Sequence, residues 1–316
     1  MRELIMMVGP ALSGKSTTAR KFEERYKAVV VSSDSIREEI YGDESIQGNP
    51  QEVFELAHSR VINSLQTNEL VVFDATNLSA KHRMGLLGKL PVCVKRTAMV
   101  HIVAPHILLA RNKLRERKVP GDVIWRQIRQ FEYPTLGEQF NTIYPFAKNI
   151  DNQNVLGIDQ ILDSMFEFDQ DSPHHRFSLG EHSYRAAEYM AATSKNHNLT
   201  MAALLHDVGK LYTKTYKNYK GEPTERAHYY SHDNVSGYLS QLIKHNLPKE
   251  QLKKYPLAAY LSQKLINWEY VAKLTNYHMQ PYFSKTEKSI NRWKRRLGVD
   301  LWEDLLLLHE ADKFAH

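Results

Sequence analysis

LIMMVGPALSGKSTTARKFEERY, residues Leu4 to Tyr26, decides how the first half of this 316-residue chain is read. Leu4 to Val8 is an apolar run suited to a buried parallel strand, and the stretch from Ser13 has the composition of a helix that begins at the loop. Between them GPALSGKST, Gly9 to Thr17, fits the spacing G-x-x-x-x-G-K-[ST]. Glycines at these positions let backbone N–H groups turn inward around phosphates, where the amino end of the helix adds favourable potential. Lys15 would then reach the β- and γ-phosphates of a nucleoside triphosphate, and Ser16 would ligate Mg²⁺. Gly9, Gly14, Lys15, Ser16 and Thr17 are therefore the cofactor-binding candidates.

Two more strand-like runs follow at α/β spacing. AVVVSSD carries Asp34 to the end of one, and ELVVFDATN carries Asp74 and Asn77 to the end of the other. Ligands of open parallel sheets bind at the carboxyl ends of the strands, so the loop and both acidic ends should meet in one crevice. SSDSIREEI is also a good helix start, so Asp34 reads equally as a cap.

GPALSGKST, VVSSDSIREEIYGDE and VVFDATNLSAKHR together resemble the 5′-hydroxyl polynucleotide kinases of bacterial and phage RNA repair, over about the first 145 residues. The resemblance implies that ATP is the donor and that Asp34 is the general base which takes the proton of the attacking 5′-OH. It implies that Arg37 contacts the acceptor phosphate, with Asp74, Asn77 and Arg83 on the substrate side; the residues alone leave Arg37 open also to a salt bridge on the helix surface. Phosphoryl transfer is mainly a matter of positioning nucleophile, γ-phosphate and metal, a task a carboxylate base suits. ARNKLRERKVPGDVIWRQIRQF lies where related kinases carry an arginine-rich lid. Arg111 and Arg115 are the candidates there for gripping ATP phosphates, because the guanidinium is a planar fork that stays charged. Gln127 is a weaker transfer, and a basic run of this kind is also read as a solvated helical face.

Clear alternation is lost between Ala147 and Gln170. The expected division is residues 1–150, a linker over 151–170, and 171–316. Beyond Ser172 apolar residues recur at spacings of three and four, as in EHSYRAAEYMAATS, MAALLHDVG and LWEDLLLLHEADKF. His182, His206 with Asp207, His232, His278 and Asp312 give the order H, HD, H, H, D, which resembles the HD superfamily of metal-dependent phosphohydrolases. The fold expected is thus an α/β P-loop kinase domain, a parallel sheet flanked by helices, followed by an all-α HD domain.

That likeness implies that His182, His206, Asp207 and Asp312 bind one divalent transition metal (Mn, Ni, Co, Fe or Zn). His232 and His278 would complete a second site bridged by Asp207. Imidazole and carboxylate ligands hold such metals while leaving a position for water. Adjacent helical residues point about 100° apart, so His206 and Asp207 require a helix lying across the site, with Gly209 as its cap. Lys210 is the candidate to neutralise substrate phosphate, or else answers the helix dipole. QDSPHHRFSLGEH, ALLHDVGK and YYSHDNVSGYL have the cadence of HD domains attached to tRNA nucleotidyltransferases. This implies action on 2′,3′-cyclic, 2′- or 3′-phosphate ends, with His174 and His175 either holding the phosphate or hydrogen-bonded at the helix entrance.

Composition is that of a folded protein, 42% hydrophobic and 25% charged, and a net charge of +6 suits a polyanionic partner or equally plain solubility. Arg292, Lys294, Arg295 and Arg296 point the same way, although RWKRR is equally an ordinary exposed helix. Cys93 is the single cysteine, which excludes an intrachain disulfide, suits a reducing cytoplasm and is expected in the core. No run approaches a membrane span. Both halves join in one task, healing RNA ends (DNA being the alternative) ahead of a separate ligase, whose signature this chain lacks. Two rivals stand beside it: a small-molecule kinase fused to a nucleotidase, and a regulatory nucleotide-binding module with an HD domain that degrades a signalling nucleotide.

Overall fold

A computed structural model describes residues 2–145, 156–171, 176–244 and 247–316. It divides into two compact units, residues 1–127 with 134–149, and residues 128–133 with 150–316.

The first unit is built on five parallel strands: β1 Glu3–Val8, β2 Val29–Ser32, β3 Leu70–Asp74, β4 Lys95–Val100 and β5 Thr142–Pro145. Their order is β2-β3-β1-β4-β5, with Ile5 opposite Val72 on one side and Thr97 on the other. Helices α1 Lys15–Tyr26, α2 Ser33–Tyr41, α3 Pro50–Thr67, α4 Ala80–Leu87, α5 Pro105–Lys113 and α6 Gly121–Arg129 supply the crossovers. Successive side chains on a strand leave opposite faces. Ile5, Met7 and Val72 accordingly pack on Ala19 of α1, while Phe73 meets His58 of α3 edge to face. β1 is apolar on both faces because both are covered, as a central parallel strand requires.

The second unit is mostly helical: α7 Ile158–Phe166, α8 Leu179–Thr193, α9 His197–Leu205, α10 His232–Ser240, α11 Pro256–Leu261, α12 Trp268–Tyr277, α13 Gln280–Phe283, α14 Glu287–Leu297 and α15 Val299–Phe314. Leu199 to Leu205 of α9 is buried on every side, which makes it the axis of the unit. α10 and α12 approach closely: a Cβ on Gly237 would lie 2.4 Å from that of Asn276.

The helical character expected of this unit holds, with two short strand pairs beside the helices: β6 Leu156–Gly157 pairs with β9 Ile243–Lys244, and β7 Thr215–Lys217 forms a hairpin with β8 Pro223–His228. Two other expectations are corrected here. The stretch expected as a linker contains α7, whose Ile158, Ile161, Leu162 and Met165 are buried in this unit. Its short apolar face was masked by polar flanks. Cys93 is exposed in the turn before β4 rather than in the core. No helix among the described residues is long and apolar enough to cross a membrane.

Candidate active sites

The loop after β1 is drawn in against the sheet. The Gly9 amide bonds Thr76 O at 2.9 Å, and a Cβ at Gly9 would stand 2.3 Å from the His101 carbonyl, so no side chain fits. Gly14 is left-handed at φ 93 and sets the amino end of α1. Lys15 is buried and donates to Pro10 O at 2.7 Å. Burial lowers its pKa to about 8, against the pull of Asp74 and Asp34. Asp74, at the end of β3, is pushed upward by burial, opposed by a hydrogen bond from Ser16 and by Lys15. Ser16 and Asp74 are thus paired oxygen donors beside the loop, suited to a hard cation such as Mg²⁺. Thr17 is exposed in the first turn of α1.

Asp34 faces the same crevice, a cavity of about 310 Å³ lined also by Lys15, Ser16, Arg37, Asp74, Arg115 and Arg117. The cap of α2 is Ser32, whose hydroxyl accepts from the amides of Asp34 and Ser35. The Asp34 carboxylate, 58% exposed, is therefore not spent on the helix, and it meets Arg37 at 2.6 Å. Gln127 accepts from the Ala11 amide at 2.7 Å and Arg111 donates to Leu12 O at 3.0 Å, so both brace the loop. Arg117 lines the crevice while paired with Glu44. Phe54 and Pro50 of α3 add an apolar wall that no sequence signal marked.

Two substrate-side candidates do not reach the crevice. Arg83 is fully buried (0% exposed), forks onto Glu138 at 2.7 and 2.8 Å, and donates to the carbonyls of Asn77 and Leu78. A guanidinium so placed ties the chain after β3 to the turn before β5 and has no access to substrate. Asn77 is left-handed at φ 46 and buried, with its amide on Met7 O at 2.8 Å. Its work is to hold the end of β1.

The helical unit gathers its histidines round one carboxylate. α9 stops at Leu205; His206 is its cap, and Asp207 (φ −105, ψ 5) opens a 3-10 turn over Val208–Tyr212. This break, and not a helix crossing the site, turns both neighbours inward. Gly209 is no terminal cap: a Cβ there would meet His232 O at 2.1 Å, so it allows α10 to approach. His182 Nε2 lies 3.1 Å from Asp312 and 3.6 Å from Asp207 Oδ2, and His206 Nε2 lies 3.4 Å from that same Oδ2. The other oxygen, Oδ1, faces His232 at 3.1 Å and His278 at 3.6 Å.

The second ring nitrogens explain how those faces are aimed. Nδ1 of His206, His232 and His278 each sits 2.8 Å from the carbonyl three residues back, on Ala203, Tyr229 and Thr275. His182 Nδ1 meets Ala315 O at 3.4 Å. A carbonyl accepts from Nδ1–H, which turns Nε2 inward, the nitrogen a metal would take in exchange for any proton there. The donor set therefore fits two divalent ions sharing Asp207. His182 with His206 and Asp207, and Asp207 with His232 and His278, each bring three ligand atoms together.

Charge agrees with this fit. Burial would discharge His206, yet Asp207 and then Asp312 hold its pKa at about 10. Burial resists ionisation of Asp207, and Lys210 and His206 overcome it to keep the carboxyl well below its usual range. The pair of carboxylates calls for positive charge, which protons on imidazole supply in part. Lys210 lies 2.7 Å from Asp207 and is steadied by Gln170 at 2.9 Å. Tyr282 donates to Asp312 at 2.9 Å, and His316 lies 3.6 Å from the same carboxyl. Gln170, Tyr282 and His316 belong to this site and had no motif to announce them. His174 and His175 lie outside the described residues.

Comparison with known proteins follows the same division. Residues 4–134 match the family model described as AAA domain, and residues 179–315 match that described as HD domain. No curated protein matches the chain. Among solved structures it is similar to one described as "Structure of the Pnkp1/Rnl/Hen1 RNA repair complex", with 23% identity over 44% of this chain and 46% of that one, TM-score 0.39. A gluconokinase from Sinorhizobium meliloti 1021 gives 18% identity over 47% and 88%, TM-score 0.34. A shikimate kinase from Acinetobacter baumannii in complex with shikimate gives 17% over 46% and 84%, TM-score 0.31. The chain spans less than half the length of the RNA-repair chain it matches. The residues matched to the AAA domain model carry the first four strands of the parallel sheet and their flanking helices, and those matched to the HD domain model carry most of the helical unit.

Proposed function

We propose that the protein heals broken nucleic-acid ends, RNA foremost, by phosphorylating a 5′-OH with ATP in its first unit and removing phosphate from a 2′,3′-cyclic, 2′- or 3′-phosphate end in its second. A separate ligase would then join the ends. The observation that carries this reading is that Asp34 and Arg37 line the same crevice as Lys15, Ser16 and Asp74. A nucleotide-binding switch needs no carboxylate aimed at an acceptor; a kinase does.

Gly9, Gly14, Lys15 and Thr17 would hold the ATP phosphates with Arg111 and Arg115, and Ser16 and Asp74 the Mg²⁺. Asp34 accepts the proton of the acceptor hydroxyl on its carboxylate, as general-base transfer requires. Arg37, held by Asp34, pairs with the acceptor phosphate. In the helical unit His182, His206, Asp207 and Asp312 would hold one divalent metal, and His232 and His278 with Asp207 a second. Such metals supply a nucleophilic water near neutral pH when bound. Lys210 neutralises the substrate phosphate, and Asp207 Oδ2 keeps its ammonium in place.

The test is one incubation of the protein with ATP, Mg²⁺ and Mn²⁺ and an oligoribonucleotide bearing 5′-OH and 2′,3′-cyclic phosphate ends. The expected product carries a new 5′-phosphate and has lost its terminal phosphate. Turnover of free sugars or nucleotides, with both ends untouched, overturns the reading.

A further inference from the structure

We propose that the mouth of the helical unit's pocket binds the nucleobase of the terminal nucleotide by stacking on Tyr230 and Phe283. This deepens the reading above and rests on it. The pocket, of about 450 Å³, has two parts. Its floor is Asp207, Lys210, His232 and Asp312, the charged end that suits a phosphate. Its outer wall is aromatic and apolar, with Tyr230, Phe283 and Met279.

The aromatic residues come as two neighbouring pairs that divide their work. Within the pocket Tyr229 is committed to Gln170 O and lies 5.5 Å from the Lys210 ammonium, and Tyr282 is committed to Asp312. The following residue of each pair stands outward: Tyr230 is 42% and Phe283 is 70% exposed. A single exposed aromatic means little. Two of them at the mouth of a pocket with a phosphate-binding floor make an amphipathic site, and an occupant must match both halves. A nucleotide does, because its planar base lies one sugar away from its phosphate.

Tyr230 is held at its ring and Phe283 at its backbone. Tyr230 is stacked on His228, with centroids 5.3 Å apart and planes 9° from parallel, which covers one face and fixes the plane of the ring. Phe283 ends α13, anchored on either side by the buried Pro281 and Ser284. A ring already ordered, as Tyr230 is, loses little entropy on stacking with a base. Removing one stacking ring lowers affinity by about tenfold to a hundredfold in single-strand binding sites.

Two measurements on the full chain test this. The first compares turnover, with Mn²⁺, of 3′-phosphate oligonucleotides whose terminal residue carries a base or is abasic. Wild type should favour the base-bearing end at least about tenfold in KM. Tyr230→Leu with Phe283→Leu should erase that preference while turnover of the abasic end stays as in wild type; Phe283→Trp should keep it. The second places 2-aminopurine at the 3′ end and follows its fluorescence without metal. Quenching by wild type and by Phe283→Trp, lost in the double leucine variant, supports stacking independently of turnover. Equal handling of base-bearing and abasic ends by wild type overturns the inference and leaves the healing function standing. Turnover of neither end removes the function and the inference together. Turnover of a phosphotyrosine peptide as fast as of the base-bearing end assigns the aromatic mouth to a different substrate and overturns it as well.

Discussion

Ser32 closes the amino end of α2 by accepting the Asp34 amide at 3.2 Å, which leaves the Asp34 carboxylate at the crevice. Capping and chemistry are thereby assigned to different residues. Asp34→Asn should lower 5′-OH phosphorylation by about 10²–10⁴-fold, the usual share of a general base. Stability should change by less than about 1 kcal/mol, because the Asp34 side of its pair with Arg37 is open to solvent. Ser32→Ala should do the reverse in stability, costing about 1 kcal/mol. Urea unfolding beside a labelling assay separates the two; a comparable loss of stability in Asp34→Asn would count against this division.

Lys15 should make nucleotide binding sensitive to mild alkali. Its pKa is lowered to about 8 by burial, so the ammonium that pairs with phosphate is present at neutral pH and discharges as pH rises through about 8. The KM for ATP should therefore climb between pH 7.5 and 9.5. Lys15→Arg keeps its charge over that range, so any binding it retains should lack the climb. A flat wild-type profile would mean that the ammonium is not the phosphate partner.

Metal loading of the helical unit should release protons. With His206 held at about 10 by Asp207 and Asp312, a metal competes with a proton for Nε2 throughout the neutral range. Apparent affinity for Mn²⁺ should rise as pH goes from 6.5 to 8.5, up to about tenfold per unit for each proton displaced. Calorimetry in buffers of different ionisation enthalpy measures the number released. Asp207→Ala should abolish binding at both sites while 5′-phosphorylation continues; loss of one metal only would show that the carboxylate does not bridge.

Arg83 should behave as a structural residue of the sheet unit. Arg83→Ala leaves Glu138 buried without its charged partner, a change that costs about 3–5 kcal/mol. The expected sign is a lower unfolding midpoint with ATP and acceptor KM altered together or not at all. A selective rise in acceptor KM at unchanged stability would return Arg83 to the substrate.

The sequence revealed what rests on local pattern. The strand, loop and helix around Gly9 to Thr17 and the set His182, His206, Asp207, His232, His278 and Asp312 were legible because spacing and residue type carry them. What stayed hidden depends on contacts far along the chain. Arg83 looked like a substrate arginine because its partner Glu138 lies 55 residues away. Asn77 looked like a ligand because its bond to Met7 crosses 70 residues. His206 and Asp207 raised a geometric difficulty only while the helix was assumed to continue; the turn at Asp207 has no signature in residue type. Tyr230 and Phe283 were unmarked because an aromatic residue in a helical region is ordinarily core.

The helical unit takes residues 128–133 from ahead of the last stretch of the sheet unit. Phe131 and Tyr133 are fully buried there, and Tyr133 is fastened by its amide to Asn276 and by its carbonyl to Tyr277. Beyond them the chain still owes the sheet unit Glu138 and β5. The two units are therefore interleaved along the gene, and a single cut cannot release both whole. Severed near residue 150, the helical part forfeits two aromatic side chains from its interior; severed before residue 134, the sheet part forfeits an edge strand and the partner of Arg83. During synthesis the sheet unit likewise cannot close until a piece of its neighbour's core has already left the ribosome. Neither candidate site can be parted from the other at one point of the chain without stripping a unit of its own interior or edge.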